Sequence, residues 1–140
     1  MPRIDIKAIV IAFAAEVAAD FIIGSLLLAY FARDLLVPGM SQAELEKVGK
    51  IIYDTTAIIP WMVVLGTATT VGGAWLAARI ARRIPYYHGL AMGIVGIVYS
   101  LLLWRSDATW LSYLGFAVTI PASLYGAHLA KMRMPPDEST

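Results

Sequence analysis

Four long apolar stretches alternate with short polar segments along the chain. A membrane-spanning helix needs about 20 apolar residues, and each stretch reaches or approaches that length. The pattern predicts four transmembrane helices and a short C-terminal tail, at about residues 4-31, 51-78, 89-104 and 110-129, and 132-140. We therefore expect residues 1-140 to form a single all-α domain, a polytopic membrane protein built as a bundle of four transmembrane helices.

The polar segment after the first apolar stretch predicts a short amphipathic helix. Ser41 and Glu44 have the spacing of a capping box, in which two side chains bond to each other's backbone N–H groups at a helix start. Leu45, Val48 and Ile52 follow at helical spacing on one face. This arrangement is typical of a helix that lies at a membrane interface, here in the first outer loop.

Proline and small residues indicate how the predicted helices bend and pack. Pro60 is expected to bend the second helix, because proline removes one backbone hydrogen bond. Gly89 and Gly93 form a GxxxG pattern, which lets membrane helices approach closely. Similar small-residue faces on the second and fourth helices consist of Gly66, Thr69, Thr70, Gly72, Gly73, Gly115, Thr119 and Ser123. Together these faces predict a tight bundle.

Composition supports a membrane protein and argues against several other classes. Hydrophobic residues make up 59% of the chain and charged residues 15%, whereas a soluble domain typically has about 25% charged residues. A net charge of +1 without a basic face gives no indication of nucleic-acid binding. There is no cysteine, and no phosphate loop, nucleophile triad or metal-ligand motif is present. We therefore expect neither an enzyme nor a cofactor.

Lysine and arginine residues near the helix ends predict the orientation in the membrane. Of the 11 basic residues, four fall on the side of the first loop. The larger group on the other side consists of Arg3, Lys7, Arg79, Arg82, Arg83, Lys131 and Arg133. This bias predicts a membrane protein with both termini in the cytoplasm.

Two carboxylates, Glu16 and Asp20, interrupt the first apolar stretch. A charged side chain at mid-bilayer costs about 2.5–3.5 kcal/mol, and such residues usually mark a functional site. Spaced four apart, the two lie on one helix face about 6 Å from each other. In apolar surroundings we expect the pair to hold at least one proton and to titrate as a unit. An alternative interpretation is that both are neutral and only fix helix packing by hydrogen bonds.

Counting along the predicted helices places several polar groups at the depth of this pair. No lysine or arginine falls there, which favours a protonated pair, a bound cation or a partner on another chain. Trp61 can stack on a cationic ligand, although packing against lipid or the core also accounts for it. The predicted ligand-binding or proton-binding residues are Glu16, Asp20, Tyr99, Thr69, Thr70, Thr119, Ser123 and Trp61, and no metal site is expected.

Two short segments resemble known membrane proteins. After the Gly72-Gly73 pair, an Ala-x-Arg-x-Ala segment and a His-Gly opening the next helix resemble small four-helix bacterial inner-membrane proteins of uncharacterised function. Ala15-Glu16-Val17 is similar to the helix-one position of small multidrug-resistance transporters, which implies that Glu16 exchanges protons and a cation. The chain departs from that pattern in its second carboxylate, longer first loop, greater length and charge bias.

These observations lead to two hypotheses from different classes. The first is a small proton-coupled or cation-binding carrier that acts as a homo-oligomer in the lipid bilayer and uses the Glu16 and Asp20 pair. The second is a non-catalytic accessory or scaffolding subunit of a larger membrane complex, in which the carboxylates meet a basic residue of a partner chain.

Overall fold

The computed structural model describes residues 4–54, 58–102 and 110–135, and these residues form helices joined by short turns without any strand. In chain order the helices are α1 (Ile6–Ala32), α2 (Gln42–Asp54), α3 (Ile59–Ala81), α4 (Pro85–Leu102) and α5 (Trp110–Met132). The all-α prediction is confirmed. The end of the predicted third helix, including Trp104, and residues 136–140 of the predicted tail lie outside the described residues.

Three helices in the described part of the chain are long and apolar enough to cross a membrane: α1, α3 and α4. This supports a membrane protein but corrects the predicted number of spanning helices, which was four. Helix α5 has 23 residues and is long enough. Its apolar character is interrupted by polar, aromatic or helix-bending residues, namely Ser112, Tyr113, Thr119, Pro121, Ser123, Tyr125 and His128.

The prediction of one helix over residues 51-78 is wrong, because that range covers the end of α2 and most of α3. Pro60 lies in the first turn of α3, directly after the N-cap Ile58 and residue Ile59. Proline is favoured there because N–H groups of the first turn have no partner within the helix. Pro60 therefore lies in the first turn of a helix and does not bend the middle of one.

The predicted capping box forms at the start of α2. The Ser41 N–H donates to Glu44 Oε2 at 2.7 Å, and the Glu44 N–H donates to Ser41 Oγ at 3.4 Å. The hydrogen bonds from the Ser41 backbone and side chain hold the pKa of Glu44 below its usual range. The pattern of four residues was sufficient to predict this helix start because all of its contacts are local.

One face of α2 packs on the rest of the molecule. Val48 and Ile52 are buried in a cluster with Ala32 at the end of α1 and Ile58 before α3. Leu45, predicted on the same face, is exposed. The amphipathic helix therefore closes the end of the bundle at which α1 ends and α3 begins.

Helices α4 and α5 approach each other through the predicted GxxxG pattern. A Cβ atom added to Gly89 would lie 2.6 Å from Ala127 Cβ and 2.8 Å from the Ser123 carbonyl oxygen. A Cβ atom added to Gly93 would lie 2.6 Å from Ser123 Oγ. Only glycine fits at these two positions without moving α5, so the close packing predicted for this face is confirmed.

A buried histidine joins the starts of α1 and α4. His88 is fully buried, and its Nε2 accepts a hydrogen bond from the Asp5 N–H at 2.9 Å. Its Nδ1 lies 3.2 Å from the Ile84 carbonyl oxygen, to which it donates. These two bonds require a neutral ring that is protonated on Nδ1. The Asp5 side chain in turn accepts from the Ala8 N–H and caps α1.

The start of α1, the turn between α3 and α4, and the end of α5 lie together, and we call this the basic end. Besides the contact between Asp5 and His88, the Tyr86 hydroxyl hydrogen-bonds His128 Nδ1 at 2.8 Å. The Lys131 ammonium group lies over the Tyr86 ring. The basic residues described at this end are Lys7, Arg79, Arg82, Arg83, Lys131 and Arg133.

Gly89→Ala should destabilise the protein, and Gly96→Ala should not. The new methyl group at position 89 meets the backbone of α5, an overlap that typically costs about 1–3 kcal/mol. At position 96 a Cβ atom meets only Thr119 Cγ2 at 3.6 Å, and alanine improves helix propensity by about 1 kcal/mol. Unfolding of both purified variants by sodium dodecyl sulfate measures the difference, and equal stabilities would contradict the close contact.

Candidate functional site

Glu16 lies on the face of α1 that packs against α3. A Cβ atom added to Gly73 would lie 2.5 Å from Glu16 Oε2 and 3.1 Å from Glu16 Cβ. The carboxyl group therefore rests directly on the α3 backbone, in space that any other residue at position 73 would fill. One turn earlier, Ala12 is fully buried in a cluster with Ala74 and Ala77 of α3. Small side chains on both helices allow this close approach.

Two neighbouring threonines of α3 meet the two carboxyl groups. Thr69 Oγ1 lies 2.5 Å from Asp20 Oδ1, and the Thr70 side chain lies near enough to the Glu16 carboxyl group to interact with it. Both threonines lie within one turn of Gly73 on α3. A carboxyl pair on successive turns of α1 therefore has a matching hydroxyl pair on α3.

The Thr69 hydroxyl group has two neighbours that can accept its hydrogen. Besides Asp20 Oδ1, the Gly66 carbonyl oxygen lies 2.8 Å from Thr69 Oγ1. A threonine hydroxyl has one hydrogen to donate and two lone pairs to accept. Both contacts become full hydrogen bonds when Asp20 is protonated, donates to Thr69 and leaves the threonine hydrogen for Gly66. When Asp20 is ionised, the Thr69 hydroxyl instead donates to the carboxylate, so the contact accommodates both protonation states.

Asp20 lies at the outer edge of the bundle. Its side chain is exposed in the isolated chain, whereas Glu16 is half-buried. The next residues along α1, Phe21 and Ile22, are also exposed. A membrane would therefore bring lipid or another protein surface against the outer side of the carboxyl pair.

No basic side chain neutralises the carboxyl pair within the described residues. The ion pair found there joins Arg33 and Asp34, two exposed neighbours after the end of α1. A proton, a bound cation or a residue of another chain remains as the source of positive charge.

The other predicted site residues are not brought into contact with the carboxyl pair. Ser123 is fully buried at the contact between α4 and α5, where its hydroxyl donates to the Ile120 carbonyl oxygen. Trp61 is 54% exposed near the start of α3. Ser123 was placed by its depth along the helix, which does not specify the face on which a side chain lies. Trp61 was chosen because its ring can stack on a cation, which says nothing of its distance from the carboxyl pair.

Tyr99 and Thr119 lie nearer to the site without bonding to it. The Tyr99 ring packs edge-to-face on Phe13 of α1, with the ring centroids 5.3 Å apart. The Thr119 hydroxyl donates to the Gly115 carbonyl oxygen within α5. Tyr99 therefore positions α4 against α1 one turn before Glu16. Thr119 lines a cleft between α3 and α5, and its Cγ2 lies near Gly96 of α4.

Sequence reasoning missed the role of Gly73, although it placed this glycine on a small-residue face. The signal available was its spacing, because Gly73 follows Thr69 by four residues and Thr70 by three, which puts all three on one side of α3. A glycine beside hydroxyl groups leaves space for a side chain of a neighbouring helix. Its occupant, Glu16, follows only from the packing of α1 on α3.

The arrangement offers no metal centre in the described ranges, where no three histidine, cysteine or acidic side chains come together. His88 and His128 make separate contacts, with Asp5 and Tyr86 respectively. The chemistry available at the site is therefore that of two carboxyl groups, two hydroxyl groups and the α3 backbone.

Comparison with known proteins gives no relative. No family model, no curated protein and no solved structure matches the chain. The resemblances noted at Gly72-Gly73 and at Ala15-Glu16-Val17 therefore stay predictions, and function has to be argued from the site itself.

Gly73→Ala should disturb the carboxyl pair, while Gly72→Ala should leave it unchanged. The first methyl group takes the place of Glu16 Oε2, whereas a Cβ atom on Gly72 meets nothing within 4 Å. Both changes give α3 the same gain in helix propensity, so the pair is well matched. Infrared spectroscopy of the protonated carboxyl stretch, followed against pH, should differ from wild type only for Gly73→Ala. Identical titrations of all three proteins would show that Glu16 does not rest on Gly73.

Proposed function

We propose that this chain is a small membrane carrier in which Glu16 and Asp20 exchange protons for a cation or a cationic solute. The observation that carries the proposal is the set of neighbours of the pair. Two threonine hydroxyl groups and a glycine backbone contact it, and no lysine or arginine does so in the described part of the chain. Such a pair needs a proton or a cation from outside.

The exchange follows from charge balance. With protons bound, the two carboxyl groups are neutral and compatible with apolar surroundings. When the protons leave, two negative charges about 6 Å apart repel each other and require a cation. Because protons and cations satisfy the same groups, binding of one displaces the other, which is the basis of coupled transport.

The distribution of charge supports an orientation. Six basic residues of the described part of the chain gather at the basic end, to which α1, α3, α4 and α5 all contribute. Basic residues near helix ends favour the cytoplasmic side. We propose that the basic end faces the cytoplasm of a bacterial inner membrane.

A homo-oligomer is part of the proposal. The carboxyl pair lies at the edge of a small bundle, with Asp20 exposed. Facing lipid, an ionised Asp20 would be costly. A second copy of the chain packed against this side of α1 would cover the carboxyl pair. The two copies together would also enclose the space for a solute that the small bundle of one copy does not provide.

Glu16→Gln should abolish ligand-induced proton release. Purified protein in weakly buffered detergent solution is mixed with sodium, potassium, magnesium or alkylammonium chloride, and a pH indicator records released protons. We expect one of these salts to release protons from wild type, because a cation displaces them from the pair. Glu44→Gln is the matched control, since Glu44 is an exposed acid of α2 and its removal should leave the release unchanged.

The carrier proposal fails if none of the salts releases protons from wild type, or if Glu16→Gln releases as many as wild type does. Equal loss in Glu16→Gln and Glu44→Gln would indicate a general effect of negative charge and would also contradict it.

The exposed Asp20 also favours the second candidate function, an accessory subunit whose partner covers α1. Large apolar residues, including Phe21, Ile22 and Leu26, are exposed on this helix. For a subunit, native mass spectrometry after extraction in mild detergent should detect a different membrane protein at fixed stoichiometry. Asp20→Asn should weaken that association, because it removes the charge that a basic residue of the partner would meet. A carrier should instead appear alone or bound to copies of itself.

A further inference from the structure

Helices α3 and α5 touch near the basic end and separate farther from it. At Gly126 there is no room for a Cβ atom, because the Val71 carbonyl oxygen of α3 occupies its position. At Gly66 and Gly115 an added Cβ atom meets nothing within 4 Å. The two helices therefore enclose a cleft of about 210 Å³ in the half of the bundle away from the basic end.

The polar groups of this cleft are hydrogen-bond acceptors. Thr67 and Thr119 line it, and each hydroxyl donates to a carbonyl oxygen of its own helix at 2.7 Å. Since the single hydrogen of each hydroxyl is used, its oxygen offers lone pairs to a ligand. The cleft is thus suited to a ligand that donates hydrogen bonds.

The rest of the lining is aliphatic. Met62, Val63 and Val118 contribute apolar surface, and among the residues that the structure describes the lining includes no aromatic or charged side chain. Quaternary ammonium ions have no N–H group and are typically bound by aromatic rings. The described lining offers no aromatic ring to bind such an ion. A ligand with an aliphatic chain and terminal N–H donors instead matches the aliphatic lining and the threonine oxygen atoms.

Thr70 connects the cleft with the carboxyl pair. Its side chain lines the cleft on one side and lies near the Glu16 carboxyl group on the other. The Thr70 side chain therefore separates an ionised Glu16 from a ligand bound in the cleft. In a membrane interior of low dielectric constant, this negative charge favours a cationic donor over a neutral one.

We propose that the cleft between α3 and α5 binds small primary alkylammonium ions, with the ammonium group toward Thr70 and Thr119 and the alkyl chain along the aliphatic lining. Binding in the cleft does not depend on the proposed carrier function. The further statement that this ion is the cation that exchanges with protons at Glu16 does rest on it. It names the class of solute carried.

Calorimetric titration of the full chain in detergent tests the selectivity. At fixed pH, n-butylammonium chloride should bind about tenfold more tightly than tetramethylammonium chloride or n-butanol, because only it combines charge with N–H donors. Wild-type protein is sufficient for this measurement. Equal affinities for the three probes, or no binding of n-butylammonium, would overturn the proposal.

Gly115→Leu tests the location, because its side chain fills the open space at Gly115. It should weaken n-butylammonium binding about tenfold or more, since the ligand and the leucine compete for one volume. Gly72→Leu is the matched control. Position 72 is exposed and has nothing within 4 Å, so this variant should bind as wild type does. If Gly115→Leu does not fold, Gly66→Leu fills the cleft from α3, and unchanged binding in a folded cleft variant would overturn the proposal.

Proton release separates this proposal from the carrier proposal. If n-butylammonium releases protons from wild type and from Gly115→Leu but not from Glu16→Gln, the carboxyl pair exchanges cations and the cleft assignment is wrong. If Gly115→Leu loses binding while wild type binds the ion without releasing any protons, the cleft assignment stands and proton exchange is wrong.

Discussion

The contact between Glu16 and the α3 backbone at Gly73 determines how α1 sits in this protein. Helix α1 has few buried residues, and all of those found are alanines: Ala8, Ala12 and Ala32. Its attachment therefore combines small residues, the packing of Phe13 on Tyr99, and the polar contacts from Glu16 and Asp20 to Thr70 and Thr69. The groups that would bind protons are the same groups that hold the helix, so a change of protonation would alter packing as well as charge.

Some glycines of this molecule lie at close helix contacts, and others face open space. Where a glycine meets backbone or a short side chain, as at Gly89 and Gly126, two helices touch. Where a glycine faces open space, as at Gly66 and Gly115, they do not. The same residue type therefore produces both the tight contacts near the basic end and the cleft between α3 and α5, and the sequence pattern alone does not distinguish the two uses.

Local patterns were the most predictable part of the fold. The capping box at Ser41 and the GxxxG face of α4 depend on short spacings, and both formed as expected. The role of Pro60 was mispredicted because proline suits either a bend or a first turn, and the choice depends on where the preceding helix ends. The carboxyl pair was predicted because it interrupts an apolar stretch, and Thr69 and Thr70 were predicted as its neighbours because they lie at the same depth in the membrane. Gly73 and the bonds of His88 depend on how whole helices pack, which no spacing along one chain reveals.

The unequal packing of α3 and α5 gives the molecule a closed side and an open side. Backbone contact at Gly126 seals the two helices near the basic end, while the threonine oxygens face a cleft in the opposite half. If the chain is the proposed carrier in the proposed orientation, this arrangement would correspond to an outward-open state. Delivery of a solute to the cytoplasm would then require α3 and α5 to pivot, parting at Gly126 as they close over Gly66 and Gly115. Contact at Gly126 would limit the movement of the two helices in one direction, and contact at Gly66 and Gly115 would limit it in the other.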